Sequence, residues 1–207
     1  MGGREEKADV LLSFAGRVLH AGECAYLCAE EAVMEILGMR DPAQGEEVVY
    51  RGMKWKNCSI GEAERRRREI GFTINTEAQQ EAWVANLDLD ENVLLASRFE
   101  RRESPPAMRR RADEWARHFG LSDGIPDLRP GAVDRGDQIR LQWVRALMRD
   151  PLRLLVLERP LESAPAEAIP RLIDTIAVRL DAGSAVLWVE ESRPNFRRLG
   201  LDPVTDW

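Results

Sequence analysis

Apolar positions along this chain gather into short runs separated by charged or turn-forming residues. Residues 10–14 alternate poorly and read as an edge strand, while Gly22-Glu23 leads into an apolar run at 24–28 that reads as a buried strand. Residues 29–39 carry Ala32, Val33, Ile36, Leu37 and Met39 at helical spacing, stopped by Asp41-Pro42, with a turn at Gly45. Residues 46–50 and 70–75 predict two more strands. Between them, residues 62–69 form a charge block of interspersed sign, read as a solvated helix in preference to an anion patch because acids interrupt it.

The second half has stronger periodicity. A helix is predicted from residue 90 to 99, Ser104-Pro105-Pro106 breaks the chain, and an arginine-rich helix runs on to His118. Trp115 and Phe119, four apart, read as packing residues. After a Pro/Gly loop at 121–131, residues 134–148 spell a largely buried helix through Ile139, Leu141, Trp143, Val144, Leu147 and Met148. Residues 152–157 are nearly all aliphatic, as a parallel strand covered on both faces must be. An amphipathic helix at 169–180 and a second buried strand at 185–189 complete a strand–helix–strand crossover, right-handed in an α/β fold.

Length and composition narrow the chemistry. The 207 residues, 44% hydrophobic and 32% charged, suffice for a globular chain with a sizeable core. A net charge of -6 argues against nucleic acid as the main partner, and no apolar run is long enough to insert in a membrane. Three cysteines, Cys24, Cys28 and Cys58, fit a reduced, cytoplasmic chain. The two histidines, His20 and His118, lack ligand spacing, and Cys24 and Cys28 read as small core residues. No nucleophile elbow or Ser/His/Asp set is present, so neither metal nor nucleophile chemistry is expected.

The order of the segments carries further information. Gly22-Glu23-Cys24-Ala25-Tyr26-Leu27 precedes a helix; Gly45, Ile70-Gly71-Phe72 and Glu91-Asn92-Val93 follow. The run from Arg140 to Pro160 then contains Arg145-Ala146-Leu147 and Asp150-Pro151 ahead of Leu154-Leu155-Val156-Leu157-Glu158. This succession resembles the nucleotide-binding domain of an ABC transporter over residues 10–200, most strongly from Arg140 to Pro160. The resemblance implies an α/β, P-loop-NTPase-like ABC ATPase fold in a single domain spanning 1–207. Its mainly parallel sheet core would take about 10–75 and 150–200, and its helical subdomain about 76–149.

The departures from the family fall where its chemistry lies. The phosphate loop of such domains offers backbone N–H groups, a lysine and a hydroxyl to nucleotide and magnesium. Its place here is taken by Cys28-Ala29-Glu30-Glu31-Ala32-Val33-Met34, and Glu30 or Glu31 is expected where a phosphate would lie. The Q-loop glutamine matches Asn75. The signature motif matches Val133-Asp134-Arg135-Gly136-Asp137, which keeps one glycine and adds two acids. The Walker B aspartate matches Glu158, and the catalytic glutamate matches Arg159, which cannot accept a proton. Glu162-Ser163-Ala164-Pro165 replaces the D-loop, and Glu190 or Glu191 the switch histidine. Arg159 is expected to pair with a nearby acid such as Glu158, Glu190 or Glu191, since a buried unpaired charge is costly.

The resemblance with these departures implies a catalytically inactive subunit that neither binds nor hydrolyses ATP, with no cofactor and a structural or regulatory role in a membrane transporter. Its partners would be a membrane permease subunit, a second ABC-like subunit, or both, and it would sit peripherally at the inner face of the membrane. The groove that receives a permease helix in the family matches Trp83, Val84 and Leu87; Trp83 is either an anchor on that groove or a core residue. The spacing from residues 87–95 to Arg140 is similar to subunits of bacterial lipid-transport systems with an MCE-type substrate-binding protein. Two alternatives stand beside this one: an ATPase with an unconventional site that uses Glu158 for magnesium, and an interaction domain outside transport.

Overall fold

The computed structural model describes residues 10–28, 32–42, 46–74, 82–100, 103–201 and 203–207. Its aliphatic runs build a parallel sheet because both faces are covered. β7 (Leu154–Glu158) and β8 (Ala185–Val189) are buried at every position and pair in parallel on either side of α6 (Ile169–Asp181) in the chain. The sheet has the order β6 (Ile70–Thr73), β7, β8, β3 (Cys24–Leu27), β9 (Val204–Asp206), with every neighbouring pair parallel.

Alternation along the strands divides the core in two. Tyr26, Leu155, Leu157, Val186 and Trp188 face one layer, with Val93, Ala112, Trp143 and Leu172 from the helices. Ala25, Leu27, Leu154, Val156, Leu187 and Val189 face the other. That second layer is roofed by an antiparallel sheet, β2 (Arg17–His20), β1 (Val10–Phe14), β4 (Val48–Tyr50), β5 (Met53–Lys54). β1, expected at an edge, lies between β2 and β4. Leu12 and Leu19, both fully buried, anchor this sheet in the second core, which gives β1 an apolar face despite its irregular pattern.

Of the helix expected over residues 29–39, residues 29–31 lie outside the described residues, and α1 (Val33–Ile36) is a single turn. Its closing carbonyls are taken by tertiary donors. Trp55 Nε1 donates to Ile36 O at 2.9 Å and Arg67 Nε to Leu37 O at 3.0 Å, while a second guanidinium nitrogen reaches Gly38 O. Trp55 is itself stacked on Tyr50, with ring centres 5.6 Å apart. The charge block lies on α2 (Ile60–Arg67), which starts with a reciprocal Ser59–Glu62 capping box and buries only Ala63.

Three helices, α3 (Leu89–Glu100), α4 (Pro105–His118) and α5 (Arg135–Leu147), follow. Trp115 stacks on Phe119 within this layer, with centres 6.0 Å apart, so both are packing residues. α5 lies hard against β6: a Cβ on Gly71 would stand 2.2 Å from the Ala146 carbonyl oxygen, so only glycine fits. A short α7 (Phe196–Leu199) leads toward β9. Among the described residues no helix is long and apolar enough to cross a membrane.

Candidate functional site

Parallel sheets present their ligands at the carboxyl ends of the strands. Register places Leu27, Val189 and Glu158 side by side at that edge, on β3, β8 and β7. The residues that follow them, Cys28, Glu190 and Arg159, therefore form one row. Glu158 is only 4% exposed and shares the strand face of Leu154 and Val156, the face toward α1. Glu30, Glu31 and Asn75 lie outside the described residues, so the geometry here is that of the remaining site positions.

Arg159 turns the chain at the end of β7. Its backbone has φ 39°, in the left-handed region that few side chains adopt, and its N–H donates to Val189 O at 2.8 Å. The expected pairing with a nearby acid is present: Glu162, an acid beyond those named as examples, lies on its guanidinium with Oε2 3.2 Å from Nε. The reason is local. The turn brings Glu162 N–H to Arg159 O at 3.1 Å, and the i, i+3 side chains meet across it.

Glu162 also reaches across to α5. Its Oε1 lies 3.2 Å from Arg135 Nη2, so one carboxylate bridges two arginines from separate segments. Gly136 sits against the same loop: a Cβ there would be 2.8 Å from Pro165 Cγ. Arg140 adds a third link, 2.8 Å from Asp137 and 2.5 Å from Glu167. The start of α5 is thus packed against the segment after β7 within the same chain.

The N-terminus of α5 has an anion of its own. Asp134 is the N-cap, accepting from Asp137 N–H at 3.0 Å. That bond holds the Asp134 carboxyl below the ordinary carboxylate range. Burial, then the charge of Asp134, push Asp137 upward. Asp134, Asp137 and the Arg140 guanidinium are thus linked to one another at this end.

The third family of predicted residues separates. Glu191 is exposed; its backbone carbonyl accepts from the Cys28 thiol at 3.1 Å. Glu190 accepts from Trp188 Nε1 at 3.0 Å through its carboxylate and from the Tyr26 hydroxyl at 2.9 Å through its carbonyl. These contacts tie the β8 end to β3. Among the described residues, no group of three or more His, Cys, Asp and Glu side chains is placed to hold a metal ion.

A groove of about 550 Å³ opens on the other side of β6, between α3 and α5. Trp83 is 4% exposed and lies in its floor, so it is a packing residue and not a protruding anchor. Val84 is on the exposed rim, whereas half-buried Leu87 lies outside the lining. The backbone here is held by Asn92, whose amide accepts from Val84 N–H at 2.8 Å and donates to the carbonyls of Val84, Leu87 and Asp88. Beside Trp83 stands Arg145, its guanidinium 4.6 Å from the indole centre. The sequence reading has Arg145 only as a scaffold position and Glu162 only in the D-loop's place, and gives neither of these contacts. A cation inside the apolar stripe from Trp143 to Leu147 was the available signal for the first; the second had none.

The sequence matches no family model. Solved structures do share the fold. The dimeric structure of MJ0796, a bacterial ABC transporter cassette, is 20% identical with a TM-score of 0.70, covering 89% of this chain and 87% of that one. A dimeric post-hydrolysis state of MJ0796 bound to ADP and Pi is 22% identical, with TM-score 0.71 and coverage of 84% and 77%. An ATP-binding subunit of an ABC transporter is 19% identical, with TM-score 0.73 and coverage of 92% and 76%. The chain has the fold of these ATP-binding cassettes, with the five-stranded parallel sheet at its centre.

Proposed function

We propose that this chain, with the fold of an ATP-binding cassette, is a catalytically inactive transporter subunit whose role is structural or regulatory. The observation that carries the reading is Arg159. It stands where the resemblance puts the catalytic glutamate, directly after Glu158, with its charge held by Glu162 at 3.2 Å. A guanidinium cannot take a proton from water, and loss of such a base costs roughly 10²–10⁴-fold in rate. Asp134 at the start of α5 supports the same reading, because its carboxylate already uses the N–H group that a phosphate would need.

The similar structures named above are dimeric cassettes or a subunit of an ABC transporter. We therefore assign this chain a membrane permease subunit, a second cassette-like chain, or both as partners, with a place at the inner membrane face. The spacing between residues 87–95 and Arg140 supports a position within the MCE-type lipid-transport group.

The competing reading, hydrolysis at an unconventional site, draws on Glu158, an acid buried at the end of β7. A phosphate-release assay with magnesium and ATP separates the two. The wild-type chain is expected to release no more phosphate than Glu158→Ala; turnover that this substitution abolishes would overturn the proposal.

A further inference from the structure

Among the described residues, Ala15, Arg51, Arg159 and Ser163 have a positive φ without being glycine. Ala15 and Arg51 are explained by their place. Each precedes a glycine in a two-residue hairpin turn, β1 to β2 and β4 to β5, where both positions are left-handed. Arg159 at 39° and Ser163 at 58° belong to no hairpin and fall together in the turn after β7. A left-handed backbone brings Cβ close to the following carbonyl oxygen, so a side chain there stores strain that its surroundings must hold.

Backbone bonds set the course of the turn. Arg159 N–H donates to Val189 O at 2.8 Å, Glu162 N–H to Arg159 O at 3.1 Å, and Ala164 N–H to Leu161 O at 3.1 Å. The Glu162 carboxylate then clamps it to α5, 3.2 Å from Arg135 Nη2 and 3.2 Å from Arg159 Nε. The Arg135 contact is a hydrogen bond, whereas the Arg159 contact is an ion pair without that alignment. The three side chains are between 20% and 46% exposed, so each pair is weak alone and screened by salt. A strained turn is thus closed by contacts that are themselves modest.

We infer that residues 159–163 are a sprung latch on the start of α5. Closed, the latch spends Glu162 on Arg135 and Arg159 and keeps Pro165 against Gly136, where a Cβ would stand 2.8 Å from Pro165 Cγ. Open, the turn relaxes out of the left-handed region, and α5 keeps its Arg140–Glu167 link while losing the one through Arg135. Ionic strength sets the balance between the two states. This goes beyond the functional reading above and holds whether or not the chain binds nucleotide.

Hydrogen exchange of the full-length protein reads the latch at the amides of Glu162, Ala164 and, on α5, Gln138. Glu162→Gln should speed exchange at all three about fivefold. Raising NaCl from about 20 to about 500 mM should do the same in the wild type and little in the variant. Adding Ser163→Gly or Ser163→Asn to Glu162→Gln should restore slow exchange, because both residues accept a left-handed backbone, and Asn does so without glycine's added chain freedom. Exchange that neither salt nor Glu162→Gln alters would overturn the latch. Faster exchange that neither Ser163 variant slows would overturn the spring, leaving an ordinary ion pair. Faster exchange at Glu162 and Ala164 with Gln138 unmoved would overturn the hold on α5.

Discussion

Asp134 shows how a single side chain can satisfy the start of a helix. Its carboxylate caps α5 and is held below its usual range by the Asp137 N–H. Asp134→Ala should destabilise the chain by about 1 kcal/mol in urea melts at neutral pH, and Asp134→Asn by much less, since an amide oxygen also caps. The native cap contribution is present above the ordinary aspartate range and is lost as pH falls through the depressed folded value. The Asn variant should therefore lose less stability than wild type on acidification, by a small margin because Asp134 is exposed. A steeper acid loss in the variant would contradict this assignment. The two acids at the start of α5 were legible in the sequence; the Glu162 bridge was not. Glu162 meets Arg159 through a left-handed turn and Arg135 through tertiary packing, and neither has a pattern in the chain.

Elements with uniform burial were legible, and elements held by distant partners were not. β7, β8 and α5 follow from continuous or helical apolar spacing. β5 has two residues and β9 three, two of them polar and exposed, too few to show a period. α1 ends after one turn because Trp55 and Arg67, from beyond β4, take its carbonyls. The Trp83 side chain was undecidable because burial in a groove floor gives the same local pattern as burial in a core. The contact between α5 and β6 gives an element-scale prediction. Gly71→Ala must push the strand off the Ala146 carbonyl and should cost about 1–3 kcal/mol or more. Gly131→Ala, where a Cβ meets nothing within 4 Å, serves as the near-neutral control in the same denaturation series. Equal effects at the two glycines would mean that α5 and β6 are not in this contact.

The whole molecule has a cassette architecture, and the account turns on the carboxyl edge of its parallel sheet. The parallel sheet, its two covered faces and the helical layer are those of cassettes with which the chain shares about a fifth of its residues. At the carboxyl edge, an arginine follows Glu158, a carboxylate caps α5, and Glu162 ties that helix to the segment after β7. Titration calorimetry of the purified chain with ATP, with and without magnesium, addresses the consequence directly. The account predicts no heat of binding at millimolar nucleotide under either condition. Saturable binding in the micromolar range would show that the strand edge still holds a triphosphate, contradicting the reading of this chain as a retired ATPase.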